Sequence, residues 1–524
     1  MTVTNRLALA REQQVFVVEE SVKGTMEEPV AADLVRVINA PAFNQNPEYF
    51  EDEQFRDTRS KQDRIRGRFL AGEWSLETYI KPSGVAGTPP ETDTLLECAL
   101  GDKHTIVGEA IGANAAKLDV VTNAGNSTTK AYITDASTLK VGMRAKIVQT
   151  TPDATSYRTL TVVNLTGDNY VQWTEALAEA VDEYTDITQD DNTTTTALVA
   201  DGDDYVVGDG IRINDQTVWV TVVQTTGFDR ITFAPALTAA CIATDTIGPA
   251  INYVLADDLP SMSIWHYVGH TMFVIIGASC DSFKMPVEGK EVGKFTFSGK
   301  FMKMIHTGTD EVGVGGIDDS AVTLPVLDSM KYSEGSVLQV ESEIMLVSAI
   351  ASATSLTVSR GYKSSTPAAH LAGVAITPWY PAGGVDVGDP VHGRMGYFRT
   401  NGSDVTILGA SIELSNGIKY YEEEKTGTDY AEDYDAVEPR DVKATVDLFL
   451  RTNDLKYFSY AVDQTQAIVE LPCGDTDGAI CAARMPLCEW SQPKLSADTE
   501  IKASLECAAL ASSLGNDELV IAFL

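Results

Sequence analysis

Trp74-Ser75-Leu76-Glu77-Thr78-Tyr79-Ile80 and Ala444-Thr445-Val446-Asp447-Leu448-Phe449-Leu450 lie 370 residues apart and read the same way. In both, apolar and polar residues alternate with a period of two, the pattern of a strand with one face on a core and the other on water. Working outward, each is preceded by a tyrosine and acidic cluster, Tyr49-Phe50-Glu51-Asp52-Glu53 in one case and Tyr420-Tyr421-Glu422-Glu423-Glu424 in the other. Before each cluster stands another alternating run, Leu34 to Ile38 and Val405 to Leu408, and the offset stays at 370 or 371. After each comes a helix candidate. Asp93 to Leu100 follows Pro89 and Pro90, Asn453 to Ala461 is the second, and Asp93 and Thr452 are the expected caps. A closing pair then follows: Ser282-Phe283-Lys284 with 294–301, against Glu489-Trp490-Ser491 with 500–507, now offset by 206 or 207. One unit therefore occurs twice, and its first copy is split.

What splits it is a smaller repeat. Gly210-Ile211-Arg212-Ile213, Val218 to Val223 and Ile231-Thr232-Phe233 match Gly335-Ser336-Val337-Leu338, Ile344 to Val347 and Leu356-Thr357-Val358. The spacings agree, with Gly210 to Val222 and Gly335 to Val347 both 12 residues, and Gly210 to Phe233 and Gly335 to Val358 both 23. A looser copy contains Val141-Gly142-Met143, Leu160 to Val163 and Val171-Gln172-Trp173, stretched by about eight residues.

The fold class expected is mainly β: two sandwich or barrel domains, each with a short helix, plus about three small inserted β modules. The divisions are an N-terminal arm (1–30), a split first large domain (31–112 and 251–308), modules at 113–198, 199–250 and 309–385, and a second large domain (386–524). With 524 residues, several domains of about 150 residues are expected. No apolar run reaches the roughly 18 residues of a membrane helix, and no secretory leader pattern is read at Arg6 to Glu12. Seven cysteines without CxxC spacing point to free, buried thiols and a reducing compartment. The net charge of −36 argues against a phosphate-binding protein.

The order strand, charged loop, strand, helix, strand pair resembles the tail tube proteins of long-tailed bacteriophages. Gly67-Arg68-Phe69 before Trp74 to Ile80, Leu95 to Gly101, Gly289 to Phe301 and Leu505 to Leu510 carry the local similarity. Leu356 to Tyr362 with Ala368-Ala369-His370 is similar to a small β module of phage structural proteins. The resemblance implies stacked rings with six tube domains around a lumen, so a chain with two such domains would form a trimeric, pseudo-hexameric ring. It implies self-association, contacts with tape measure, terminator and distal tail proteins, DNA passing without specific binding, and a place in the virion after synthesis in the host cytoplasm. No cofactor and no enzymatic activity are expected. A terminator or connector ring is the alternative within the virion. A β-repeat adhesin or carbohydrate-binding array, with Trp173, Trp219 and Trp379 as platforms, is the alternative outside it.

Two loops are candidate contacts. Arg56, Arg59, Lys61, Arg64, Arg66 and Arg68 give the first a net +4, and the second, Glu422 to Glu438, carries −7 through residues including Glu422, Glu423, Glu424, Asp429, Glu432, Asp433 and Asp435. Complementary charge predicts that the first loop of one subunit meets the second of a neighbour, and excess acid is expected to line the lumen. His266 and His270 are four apart but fall in a strand-and-turn pattern without HExxH. The glycines at 313, 315 and 316 lack a following Gly-Lys-Ser/Thr, and no GxSxG elbow occurs.

Overall fold

The computed structural model describes residues 12–51, 64–114, 118–150, 153–384, 387–423, 428–497, 500–512 and 515–524. The alternation in Gly72–Tyr79 does what its period requires: Trp74 and Leu76 are buried, while Glu73 and Tyr79 face out. This strand lies between Ala42–Asn44 and Lys294–Phe301, and the latter pairs with Ser282–Glu288. Its counterpart Asp441–Phe449 lies between Gly409–Ser415 and Ile501–Ala509, and the latter pairs with Lys494–Ala497. The same four-strand order thus occurs twice, with Lys494–Ala497, and not the expected Glu489-Trp490-Ser491, in the place of Ser282–Glu288; Glu489 and Trp490 end the strand Cys481–Trp490 of the layer behind.

The two copies are not separate domains. Ser282–Glu288 pairs with Gly409–Ser415 along its whole length, from Ser282 opposite Ser415 to Glu288 opposite Gly409, so eight strands form one continuous inner sheet. Trp74, Phe283 and Phe297 of the first half share a single core with Ile412, Val446 and Leu505 of the second. Behind lies a second layer in the order Gly101–Ile106, Ala250–Leu255, Val520–Phe523, Cys481–Trp490, Gln466–Cys473, Phe398–Thr400. Val520–Phe523, buried throughout, stitches one half to the other.

Two α-helices occur among the described residues, Asp93–Leu100 packed on Gly101–Ile106, Ala250–Leu255 and Gln13–Glu19, and Lys456–Asp463 on Cys481–Trp490 with only Tyr457 buried. Helix α1 (Asp93–Leu100) buries Leu95, Leu96 and Cys98 and stops at Gly101, whose φ of 114° no L-residue adopts comfortably. Its cap is Thr92, not Asp93; Asp93 occupies the first turn, where it meets Lys103 at 3.0 Å and Tyr253 Oη at 2.6 Å. Helix α2 (Lys456–Asp463) begins after a 3₁₀ turn over Thr452–Leu455, so Thr452 starts that turn and caps nothing.

The expected N-terminal arm contains a strand of the chain's own core. Gln13–Glu19 pairs with Met262–Val268 in a five-stranded sheet completed by Leu34–Val35, Thr271–Ala278 and Lys303–Thr307. Val15 and Val17 point into the shared core, while Phe16, on the other face, joins Trp265, Tyr267 and Val274 against the third module. Covering both faces explains why this sheet reads as unbroken apolar sequence.

All three small modules have one topology. Their strands, in chain order, are Leu118–Asp119, Lys130–Tyr132, Arg144–Thr150, Asp153–Asn164, Tyr170–Trp173 and Asp186–Gln189 in the first. The second has Glu109–Ala110, Thr196–Leu198, Gly210–Ile213, Gln216–Gln224, Arg230–Ala234 and Thr246–Ile247. The third has Asp310–Glu311, Thr323–Pro325, Val337–Val340, Glu343–Ser352, Ser355–Ser359 and Ala375–Pro378. In each the spatial order is second, fifth, fourth, third, sixth, first. The first strand then returns to the second, through Val120 opposite Ile133, Gly112 N–H to the Leu198 carbonyl, and Val312 opposite Val326. Each module is therefore a small closed barrel without free edges. A bulge in the fourth strand recurs at Thr161, Thr221 and Ser348. The hydroxyl there donates to the facing carbonyl of Gln172, Thr232 or Thr357 at 3.2, 3.1 and 3.1 Å, and bends the strand around the barrel.

Module boundaries differ from those expected. Glu109–Ala110 and Thr196–Leu198 both belong to the second module, so the first is nested inside it, and both are inserted between the paired strands Gly101–Ile106 and Ala250–Leu255. The glycine equivalent to Gly335 is Gly208: their N–H groups donate to Val347 and Val220, and Gly142 donates likewise to Leu160. The alignment on Gly210 is out by two residues because the turn after the fourth strand is longer in the second module. A slip of two preserves the inside-outside pattern and leaves no trace in the periodicity.

Modules two and three are clamped to the body. The second shares its core with Ile480, Ala482 and Leu524. Gly210 is needed there, since a Cβ would lie 2.7 Å from Ala522. The third packs Val337 in one cluster with Phe16, Trp265 and Tyr267 and pairs Lys363 with Glu28, while inside it Arg360 and His370 converge on the buried Glu343 carboxylate, at 2.6 and 2.9 Å. The first module rests on the second, at a joint where buried Asp191 accepts from Arg230 and from the Arg144 backbone. Trp173 and Trp219 are core residues, and Trp379 packs edge-on against Trp265.

Candidate assembly edges and charged loops

Duplication leaves the inner sheet with two ends. Among the described residues, Ala42–Asn44 at one end pairs only with Gly72–Tyr79, and Lys494–Ala497 at the other only with Ile501–Ala509. Open clefts of about 610 and 620 Å³ border the first end, one lined by Ala42, Asn44 and Glu73, the other by Gln14, Val37 and Asn39. The register gives each end a counterpart inside the molecule. Leu76 faces Phe297 and Val446 faces Leu505, so Leu495, opposite Ala503, holds the place of Met285, the inward-facing residue next after Phe283 on the strand Ser282–Glu288. Phe283 and Met285 are 0% exposed because the strand bearing Leu414 and Ile412 covers them; Leu495, with no strand beyond it among the described residues, is 53% exposed.

The two charged loops meet within one chain. Arg66 reaches Asp429 at 3.3 Å, and Arg68 donates to the carbonyls of Glu422 and Tyr430 at 3.0 and 2.6 Å. Phe69 stacks on Tyr430 with ring centroids 5.1 Å apart. Glu422 accepts from the Ala71 N–H, and Asp433 pairs with Lys23 at 3.0 Å. Burial works against the Asp433 carboxylate, but the Lys23 ammonium outweighs it and holds its pKa below the usual range. Glu423, Glu432 and Asp435 are exposed, and Arg64 opens the strand Arg64–Phe69. Arg56, Arg59, Lys61 and Glu424 lie outside the described residues. The sequence showed the charge complementarity of the loops but not the Phe69–Tyr430 stack, because nothing in a lone aromatic marks its partner.

The open face of the inner sheet is close to neutral. It carries Glu73, Glu77, Glu288, Glu413, Asp441, Asp447 and Glu506 against Lys284, Lys294, Lys300, Lys443, Lys494 and Lys502. None of its eight strands contains an arginine. The chain's acid excess thus lies elsewhere.

Groups with chemical potential are structural in their contacts. His266 bonds Gln13 at 2.8 Å, and burial pushes its pKa down to about 4; His270 is exposed in the adjoining turn. No cluster of three or more metal-ligating side chains occurs among the described residues, and all seven cysteines are buried and free. No helix among the described residues is long and apolar enough to cross a membrane. Compared with known protein families and with curated proteins, the chain matches none.

Proposed function

We propose that the chain is a structural subunit of a phage tail tube, three copies closing a pseudo-hexameric ring and rings stacking into a hollow conduit for DNA. The observation that carries this reading is the contrast between Phe283 and Leu495. The junction that buries Phe283 inside the chain is available again at the chain's outer ends, where Leu495 waits uncovered. Carrying the internal register outward sets Leu495 opposite Phe43 of the next copy, as Met285 faces Ile412 inside. A head-to-tail contact of this kind is heterologous, and rotation closes it into a ring. Without such closure the two unpaired edges invite open-ended pairing.

The charged loops support a second contact. Arg66 and Arg68 are engaged within the chain, whereas Glu432 and Asp435 remain exposed for basic side chains of a neighbour. The clamped modules two and three brace the outside of the ring, and tape measure, terminator and distal tail proteins are its expected partners in the virion.

The test is negative-stain electron microscopy with mass measurement across protein concentration, on wild type and Leu495→Asp. Three-chain rings that stack, lost in the variant while the chain stays folded, support the reading. Rings that never stack favour a terminator or connector. A monomer at all concentrations, with no difference between the two proteins, overturns it.

A further inference from the structure

In a chain of net charge −36, the open face of the inner sheet balances its charges locally. Lys284 meets Glu413 at 3.1 Å, Lys294 meets Glu77 at 3.3 Å and Lys494 meets Glu506 at 3.1 Å, each across a strand boundary or the adjoining pleat, and Lys443 pairs with Asp441. Glu413 stands opposite both Lys284 and Lys443 in the register, so charge alternates across the junction of the two halves. One pleat away runs a row of hydroxyls, Ser75, Ser298, Ser282 and Ser415, each opposite the next.

We infer that this face is built for a duplex polyanion to slide past, four of its six lysines cancelled in place by neighbouring carboxylates instead of the duplex being repelled by a net acidic wall. The inference rests on the tube reading, in which this face lines the lumen. Duplex DNA presents a charge about every 1.7 Å of its axis, and every lysine left free would take a phosphate contact and release counterions, which is adhesion. A wall of excess acid would oppose entry within the screening distance of about 8 to 10 Å. An ammonium and a carboxylate held about 3 Å apart do neither, because their fields largely cancel over a distance of several ångströms. Arginine, the stronger phosphate ligand through its planar fork, is absent from all eight strands. The paired side chains are half-exposed, so the pairing matters here for the field it presents and little for stability.

The probe is a short fluorescent duplex incubated with the full chain, assembled or dispersed, and separated by sedimentation or anisotropy over a salt series. Glu77→Gln/Glu413→Gln/Glu506→Gln unmasks lysines on the face, and Asp168→Asn/Glu179→Gln/Glu183→Gln makes the same net change on the exposed surface of the first module. Expected is no retention by wild type or control, and about ten-fold more duplex retained by the unmasked variant at low salt, lost by about 200 mM. Equal retention by unmasked variant and control overturns the inference, as does strong retention by wild type. The outcome is independent of assembly: a gain seen only in dispersed chain upholds the charge cancellation while absence of rings, read by microscopy, removes the tube reading.

Discussion

The strand Ser282–Glu288 and the strand Lys494–Ala497 hold the same place in two copies of one unit, yet one is central and the other an edge. The first is covered by Gly409–Ser415 and buries Phe283; the second has no strand beyond it among the described residues and leaves Leu495 in water. Fusing two units converted one of two equivalent junctions into an intramolecular one and left the other for a neighbour. A contact that is part of the fold at one position is thus an assembly contact at its twin.

The comparison breaks most sharply at Phe283. Phe283→Ala should cost about 3 to 5 kcal/mol in denaturant unfolding, by loss of apolar burial and the cavity left behind. Leu495→Ala in the dispersed chain should cost less than about 1 kcal/mol, since the residue is already half in water. Equal costs would mean that the edge is covered in solution. The second contrast is in pH. His266 lies in the core of the first half, and the strands of the second half contain no histidine. Its folded pKa of about 4 lies below the unfolded value near 6.5, so its contribution is complete above about pH 6.5 and is lost as pH falls toward 4, up to about 3 kcal/mol. Hydrogen exchange at pH 7 and pH 4.5 should therefore loosen Gln13–Glu19 and Met262–Val268 before Asp441–Phe449, and His266→Gln should flatten the difference.

Smaller effects separate the two arginines at the junction of the loops. Arg68→Ala removes two charged donors from half-buried carbonyls and should cost about 1.5 to 3 kcal/mol. Arg66→Ala removes an exposed ion pair and should change the melting curve by less than about 1 kcal/mol, with the difference vanishing at high salt.

Much of this was legible in the residues. Period-two alternation marked Gly72–Tyr79 and Asp441–Phe449, and the span Asp93–Leu100 is helical as its spacing predicts, with its cap at Thr92 and not at Asp93. The N-terminal strand was missed because Val15 to Val18 has no polar face to alternate with, a consequence of burial on both sides. The nested first module was missed because a two-residue strand such as Glu109–Ala110 is too short to carry a pattern. The charged loops were found by composition, but their meeting inside one chain depends on the strand pairing that brings residues 66 and 429 together.

What the sequence determined by itself was local: strand period, the presence of a short helix in each half, the repeated unit, and the complementary signs of two loops. These follow from neighbours along the chain, and physics acting over a few residues is enough to read them. Which of two equivalent edges would be covered was decided only by the tertiary structure, because backbone pairing is blind to side-chain identity and the choice is made by connectivity and by what else packs on each face. The same holds for the near-neutral inner face: total charge is a sum over the chain, and only the fold assigns each charge to a surface.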